Sequence, residues 1–250
     1  MNNYKNEKSW DMHAKRYFDE NVLSCDCVDF CGNLYRTEED LKLIGDVKGL
    51  KILELGAGSC NCGIALAKEG ADVVCTDISK EQLYIGNKQA EKCCVNIKTV
   101  QCDMENLDDF TDEEFDLVIS ICSLMYVENI QKVFKEVSRV LKKGGKFVFS
   151  TNHPIVMSVG ATDLWPEEKA DPNYNYRGKV EWKWFEEDNF YFTTYRRPIM
   201  DYVNFLSDNR FVIKKMHEEY PIKIDKEWSQ EEKDIRERYP SLLVVLAEKL

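Results

Sequence analysis

The apolar positions first group in threes and fours, then in short continuous runs. Trp10, Ala14, Tyr17 and Phe18 share one face of a predicted helix over residues 9–20. Thr37-Glu-Glu-Asp40 has the spacing of a capping box and opens a second helix before Leu41, Leu43 and Ile44. From Leu50 the pattern alternates between strand and helix. Residues 51–55, 71–76, 97–100, 115–120 and 146–150 are predicted strands. Residues 64–68 and the stretch from the Ser79 capping box to about Lys92 are predicted helices. The clearest helix spans 128–143, where Ile130, Val133, Phe134, Val137, Val140 and Leu141 keep the i, i+3, i+4, i+7 rhythm and Gly144-Gly145 supplies a stop.

Strands separated by helices pair in parallel through right-handed crossovers, so the expected fold class is α/β, a Rossmann-like doubly wound sheet. Such sheets bind ligands beyond the carboxyl ends of their strands. Residues 160–197 break the pattern with Trp165, Tyr174, Tyr176, Trp182, Trp184, Phe185, Phe190, Tyr191, Phe192 and Tyr195. Residues 180–185 and 190–195 read as a hairpin there, followed by a helix near 198–207. Residues 211–216 and 242–247 read as two closing strands, with a charged helix or loop at 225–238 between them. The domain reading is an N-terminal helical lid over 1–45, then one domain over 46–250 that includes an insert at 155–197.

Length and composition narrow the class. The 250 residues suit one α/β domain, and 44% hydrophobic content is enough for a core. Against 34 Lys and Arg stand 45 Asp and Glu, a net charge of −11. That balance repels phosphate backbones and anionic lipid, so a nucleic-acid partner is disfavoured and no membrane partner is expected. The polar N-terminus carries no signal-like apolar core, and no apolar run reaches membrane-spanning length. Of ten cysteines, none after Cys122, several fall in predicted strands and tight turns, where reduced thiols serve as small apolar residues. The expected setting is the cytoplasm and the expected oligomer a monomer or homodimer. Cys25, Cys27 and Cys31 lack paired zinc spacing, so no metal is expected.

The chemistry-bearing residues follow the strands. Glu54-x-Gly56-Ala57-Gly58 comes directly after the first strand, where glycines let the backbone turn and lie against a ligand. A third glycine arrives only at Gly63, late for a dinucleotide fingerprint, which suits a ligand with no phosphate at the turn. Asp77 follows the second strand, where a carboxylate can accept both ribose hydroxyls. Ile78 offers a face to adenine. Asp103 can accept from an adenine amino group beside Met104, a soft apolar face. The Phe115-Asp116 strand ends at Ile121 under the ligand.

In this order and spacing, Glu54-x-Gly56-x-Gly58, Asp77, Asp103, Phe115-Asp116 and Lys142-Lys-Gly-Gly resemble the class I S-adenosylmethionine-dependent methyltransferases of the small-molecule type. The likeness covers residues 45–152 well and the last strands loosely. It implies a seven-stranded sheet with an antiparallel final strand. It also implies methyl transfer from S-adenosylmethionine to an O, N or C nucleophile, with S-adenosylhomocysteine as product. The residues expected at the cofactor are Tyr17, Glu54, Gly56, Ala57, Gly58, Asp77, Ile78, Asp103, Met104 and Ile121. Gly56 and Gly58 would line the methionine moiety, Asp77 the ribose, and Asp103 with Met104 the adenine. Tyr17 would touch the amino-acid end or close the site.

His153, past the fifth strand, stands where a general base could act, and a structural role in its loop competes with that reading. Tyr17 is the other candidate catalytic side chain. Arg196-Arg197 beside aromatics suggests an anionic or planar acceptor, although arginines at a hairpin end are commonly surface residues. The expected partner is a small-molecule acceptor. A nicotinamide-dependent oxidoreductase and a cofactor-binding module without turnover are the alternatives.

Overall fold

The computed structural model describes residues 3–20, 24–32, 34–159, 173–184, 189–224 and 228–250. The chain runs α1 (Asn3–Glu20), α2 (Glu38–Leu41), β1 (Lys51–Leu55), α3 (Asn61–Lys68), β2 (Asp72–Asp77), α4 (Lys80–Lys92), β3 (Lys98–Gln101), β4 (Phe115–Ile121) and a 3-10 turn (Leu124–Tyr126). It continues through α5 (Ile130–Val140), β5 (Leu141–Asn152), α6 (Val156–Val159), β6 (Gly178–Trp182), β7 (Phe192–Arg196), α7 (Ile199–Asp208), β8 (Phe211–Glu219), α8 (Gln230–Arg238) and β9 (Leu242–Lys249).

Seven strands form one sheet in the order β3-β2-β1-β4-β5-β9-β8. The pairs β1–β2, β1–β4, β2–β3 and β4–β5 are parallel, and β9 runs antiparallel to both β5 and β8. This is the expected doubly wound sheet with its antiparallel final strand. Alternate residues leave a strand on opposite faces. Phe147 and Phe149 therefore enter one apolar layer with α5 and α7, while Val148 enters the other with α3 and α4. Val28, Phe30, Leu41, Leu43 and Ile44 pack in that second layer too, so much of the segment expected as a lid shares the core of the sheet. β6 and β7 form the separate antiparallel hairpin of the insert.

Several element boundaries differ from expectation. α1 begins at Asn3; its fully buried positions are Asn6, Ser9, His13 and the expected Ala14, and Trp10 is half-buried against the hairpin. α5 stops at Val140 because buried Leu141 turns extended and pairs with Phe115 to start β5. Gly144, expected as the helix stop, instead takes φ +73° inside β5, where the register with β4 shifts between Phe115 and Leu117. The hairpin strands sit at 178–182 and 192–196, and residue 185 of the first expected strand and residues 186–188 of the expected turn lie outside the described residues. Trp165 lies outside them as well. No helix among the described residues is long and apolar enough to cross a membrane.

Candidate active site

The carboxyl ends of β1, β2 and β4 meet around a buried carboxylate. β1 delivers the chain into a turn that only glycine adopts without strain, with φ +63° at Gly56 and +53° at Gly58. A Cβ on Gly56 would lie 2.4 Å from Ser123 Cβ and 3.0 Å from Met104 Cε, so this glycine is also required by close packing. Ser123 Oγ donates to Leu55 O (3.0 Å) and locks the start of the turn to the end of β4.

Asp77 ends β2 and is 8% exposed. Gly58 N–H donates to its Oδ2 and Ser79 N–H to its Oδ1, both at 2.8 Å. Burial pushes its carboxyl up to about 6, against these two backbone donors. Ile78, Asp103, Met104 and Ile121 stand half-buried at the ends of β2, β3 and β4, and Ala57 is half-buried in the glycine turn. Asp103 Oδ1 accepts Glu105 N–H (2.9 Å), which shapes the loop after β3. The structure thus brings Gly56, Ala57, Gly58, Asp77, Ile78, Asp103, Met104 and Ile121 together on one edge.

Glu54 behaves differently. It is buried beneath the turn, and its Oε2 accepts from Gly63 N–H (2.9 Å) and Cys75 Sγ (3.4 Å). Burial pushes its carboxyl up to about 8. This side chain fastens α3 and β2 under the glycine turn and does not reach the open side. A Cβ on Gly63 would stand 2.3 Å from Cys75 Sγ and 2.7 Å from Glu54 Oε2, so the late third glycine serves this buried contact. Asp116 lies at the opposite end of its strand, where it accepts Lys51 N–H (2.9 Å) and pairs with Lys142 (2.7 Å).

His153 is buried, and both ring nitrogens are engaged. Nδ1 accepts Ile155 N–H (3.2 Å), and Nε2 faces Glu218 Oε1 (3.0 Å). Burial lowers its pKa in spite of Glu218. No ring nitrogen is left over for a general base, so the geometry supports the structural reading of this histidine. The side chain of Tyr17 lies outside the described part of the chain. All ten cysteines are free thiols, and among the described residues no group of His, Cys, Asp or Glu could hold a metal ion.

One position along the sheet, past the end of β5, opens a cleft of about 400 Å³ counting its mouth. Met125, Thr151, Asn152 and Tyr174 line it with residues 194–197 of the hairpin and Tyr202. The hairpin is held there by its own small core, in which Trp182 stacks on Phe192 (5.0 Å) and Trp10 of α1 packs on Phe192 (4.8 Å). Trp182 and Trp184 therefore pack, while Tyr174 and Tyr195 line the cleft.

Polar groups on α1 tie that helix to the hairpin and to the start of α4. Asn6 pairs with the backbone of Thr193 through Oδ1 (2.8 Å) and Nδ2 (2.9 Å), and Asp11 Oδ1 accepts Ser79 Oγ (2.7 Å) at the start of α4. Sequence reasoning misses these contacts because it judges the helix that carries Asn6 and Asp11 by its apolar positions alone. It misses Asn152 and Thr194 as well, since neither has a motif around it.

Residues 53–149 match the family described as a methyltransferase domain. The chain is similar to a Haemophilus influenzae protein without an assigned activity, 29% identical over 222 residues, covering 84% of this chain and 85% of that protein. It is 39% identical over 110 residues to an uncharacterised methyltransferase of Bacillus subtilis, covering 44% of this chain and 43% of that protein. Among solved structures, an S-adenosylmethionine-dependent methyltransferase from Mesorhizobium loti superposes with a TM-score of 0.65 at 26% identity, covering 84% of this chain and 95% of that one.

Proposed function

We propose that this chain, which belongs to the class I S-adenosylmethionine-dependent methyltransferases, methylates a small molecule held in the cleft between the end of β5 and the β6–β7 hairpin. The observation that carries the reading is the adjacency of two sites on one sheet edge, the Asp77–glycine-turn site and the aromatic-walled cleft one strand further along.

The first site fits the methyl donor. Each Asp77 oxygen spends one lone pair on a backbone N–H and keeps another for a ribose hydroxyl. Gly58 faces open space, since a Cβ there would have Gln82 Oε1 as its nearest neighbour, 3.8 Å away. That Gln82 oxygen is buried without a partner, an acceptor ready for a donor group of the ligand. Ile78 and Met104 supply the apolar faces for adenine.

S-adenosylmethionine, when bound, supplies a methyl group on a sulfonium, and the S–CH3 bond breaks as the acceptor nucleophile bonds to carbon, leaving S-adenosylhomocysteine. The protein's part is alignment and exclusion of water, where most of the rate gain of such a transfer resides. α1 and the hairpin supply that enclosure. With both His153 nitrogens occupied, an acceptor that arrives as a free nucleophile, or that loses its proton to solvent, suits this cleft. Ten free thiols support a reducing, cytoplasmic setting.

Calorimetric titration with S-adenosylhomocysteine and with NAD tests the first site. Binding of the former and silence for the latter is expected, and the reverse would overturn the reading. Incubation of the protein with deproteinised cell extract and methyl-labelled S-adenosylmethionine tests turnover. A labelled small molecule is expected, whereas cofactor binding with no product from broad extracts would point to a module that binds and does not turn over.

A further inference from the structure

The geometry points to an acceptor that carries an oxyanion, a carboxylate or a phosphate, seated against Arg197. This rests on the reading of the cleft as the acceptor site. Arg197 lines the cleft, and its guanidinium is held by neutral oxygens only. Nη1 donates to Tyr195 O (3.2 Å), while Nη2 donates to Glu128 O (2.9 Å) and Val127 O. It also lies over the Tyr195 ring, 5.4 Å from the centroid. No carboxylate among the described residues forms an ion pair with it. The acid nearest in sequence, Asp201, is committed to Arg177 through two bonds of 2.7 Å. A half-buried cation positioned by neutral oxygens, with no described carboxylate in direct contact and Asp201 acting on it only at longer range, is a site for an anion.

Two further atoms in the same cleft call for a ligand. Thr194 Oγ1 is buried without a hydrogen-bond partner in a residue only 3% exposed, and Asn152 Nδ2 is likewise buried and unpartnered. Buried polar atoms in native proteins are almost always satisfied, and both of these are donors on residues that line the cleft Arg197 borders. Arg196, 8% exposed and bound to Ser158 Oγ (3.0 Å), adds a second positive charge to the lining. Apart from Thr151, the remaining lining, Met125, Pro154, Met157, Tyr174, Tyr195 and Tyr202, is apolar or aromatic. The complementary molecule has a flat or apolar body of modest size with one oxyanion at its edge.

Anion-exchange sorting of acceptors tests this without knowing the molecule. A deproteinised cell extract is passed over the exchanger, and the retained and flow-through fractions are each offered as acceptor pools with methyl-labelled S-adenosylmethionine. Label is expected from the retained pool. Prior treatment of that pool with phosphatase abolishes labelling if the anion is a phosphate and spares it if it is a carboxylate. Label from the flow-through alone overturns the oxyanion while leaving methyl transfer intact. Label from neither pool overturns the proposed function and this inference with it.

Two conservative variants tie the effect to the cleft. Arg197→Lys removes the planar fork and Thr194→Val removes the hydroxyl at nearly constant volume. Each is expected to raise the KM for the retained pool at least tenfold with S-adenosylhomocysteine affinity unchanged. Folded variants with wild-type KM would overturn the assignment.

Discussion

Asp77 has two jobs that pull its protonation in one direction. As a structural acceptor it holds Gly58 and Ser79 N–H, and in the proposed function it would also take two hydroxyl donors of the ligand. Both require the ionised form, yet burial pushes its carboxyl up to about 6. S-adenosylhomocysteine affinity is therefore expected to stay level above neutrality and to weaken as pH falls through about 6, by up to about tenfold per pH unit once protonation is ahead. Asp77→Asn removes the charge and turns an amide N–H2 toward one of the backbone donors. Its affinity should fall at least tenfold at neutral pH, equivalent to about 1.4 kcal/mol or more, and lose its acid limb. Calorimetry of both proteins across this range decides, and an acid limb that survives in Asp77→Asn would assign it to another group.

At the scale of elements, the docking of α1 carries the next expectation. Asn6 forms a two-bond pair with Thr193 of β7, as a neighbouring strand would, and donates also to Tyr126 O (3.2 Å). Truncation to Ala leaves a buried N–H and a buried carbonyl of Thr193 unpaired, at a cost of about 1–3 kcal/mol. The variant should show faster hydrogen exchange at Thr193 and a lower urea midpoint. Unchanged Thr193 protection would mean that Trp10 packing alone holds the helix.

This contact also shows where sequence reading stops. β1 to β5 and their helices are legible because their apolar residues keep one period and the chemistry sits at strand ends, as with Asp77 after Val74 and Cys75. The face of α1 is not, because its partner is a hairpin backbone nearly 190 residues away, and polar side chains that pair with a backbone leave no periodic trace. The end of α5 is ambiguous because Leu141 fits the helical rhythm and the strand register equally well, and pairing with Phe115 decides between them.

At the scale of the whole molecule, carboxyl groups held below and above their ordinary values set opposite slopes of stability with pH. Glu136 is held below its ordinary value, chiefly by its bond to Arg139, so its contribution is present at neutral pH and lost as pH falls through the low carboxylate range. Glu54 works the other way. Burial raises it from 4.5 to about 8, so the folded state keeps a proton that the unfolded chain has released. The stability tied to that proton is full below 4.5 and is lost as pH rises to about 8, at up to ~1.4 kcal/mol per unit. Asp77 adds a shorter slope of the same sign between 3.8 and about 6. The ligand-free protein is therefore expected to be most stable on the mildly acidic side and to weaken toward pH 8, a trend that the net charge of −11 reinforces through self-repulsion. Glu54→Gln isolates the buried proton. The amide resembles the protonated carboxyl that the fold holds at neutral pH, so the variant should fold with near wild-type stability there. Its urea midpoint should then decline less steeply than wild type toward pH 8, the remaining decline belonging to the surface charge. Parallel curves for the two proteins would show that Glu54 is ionised beneath the turn, and that Gly63 N–H and the Cys75 thiol suffice to hold a charge there.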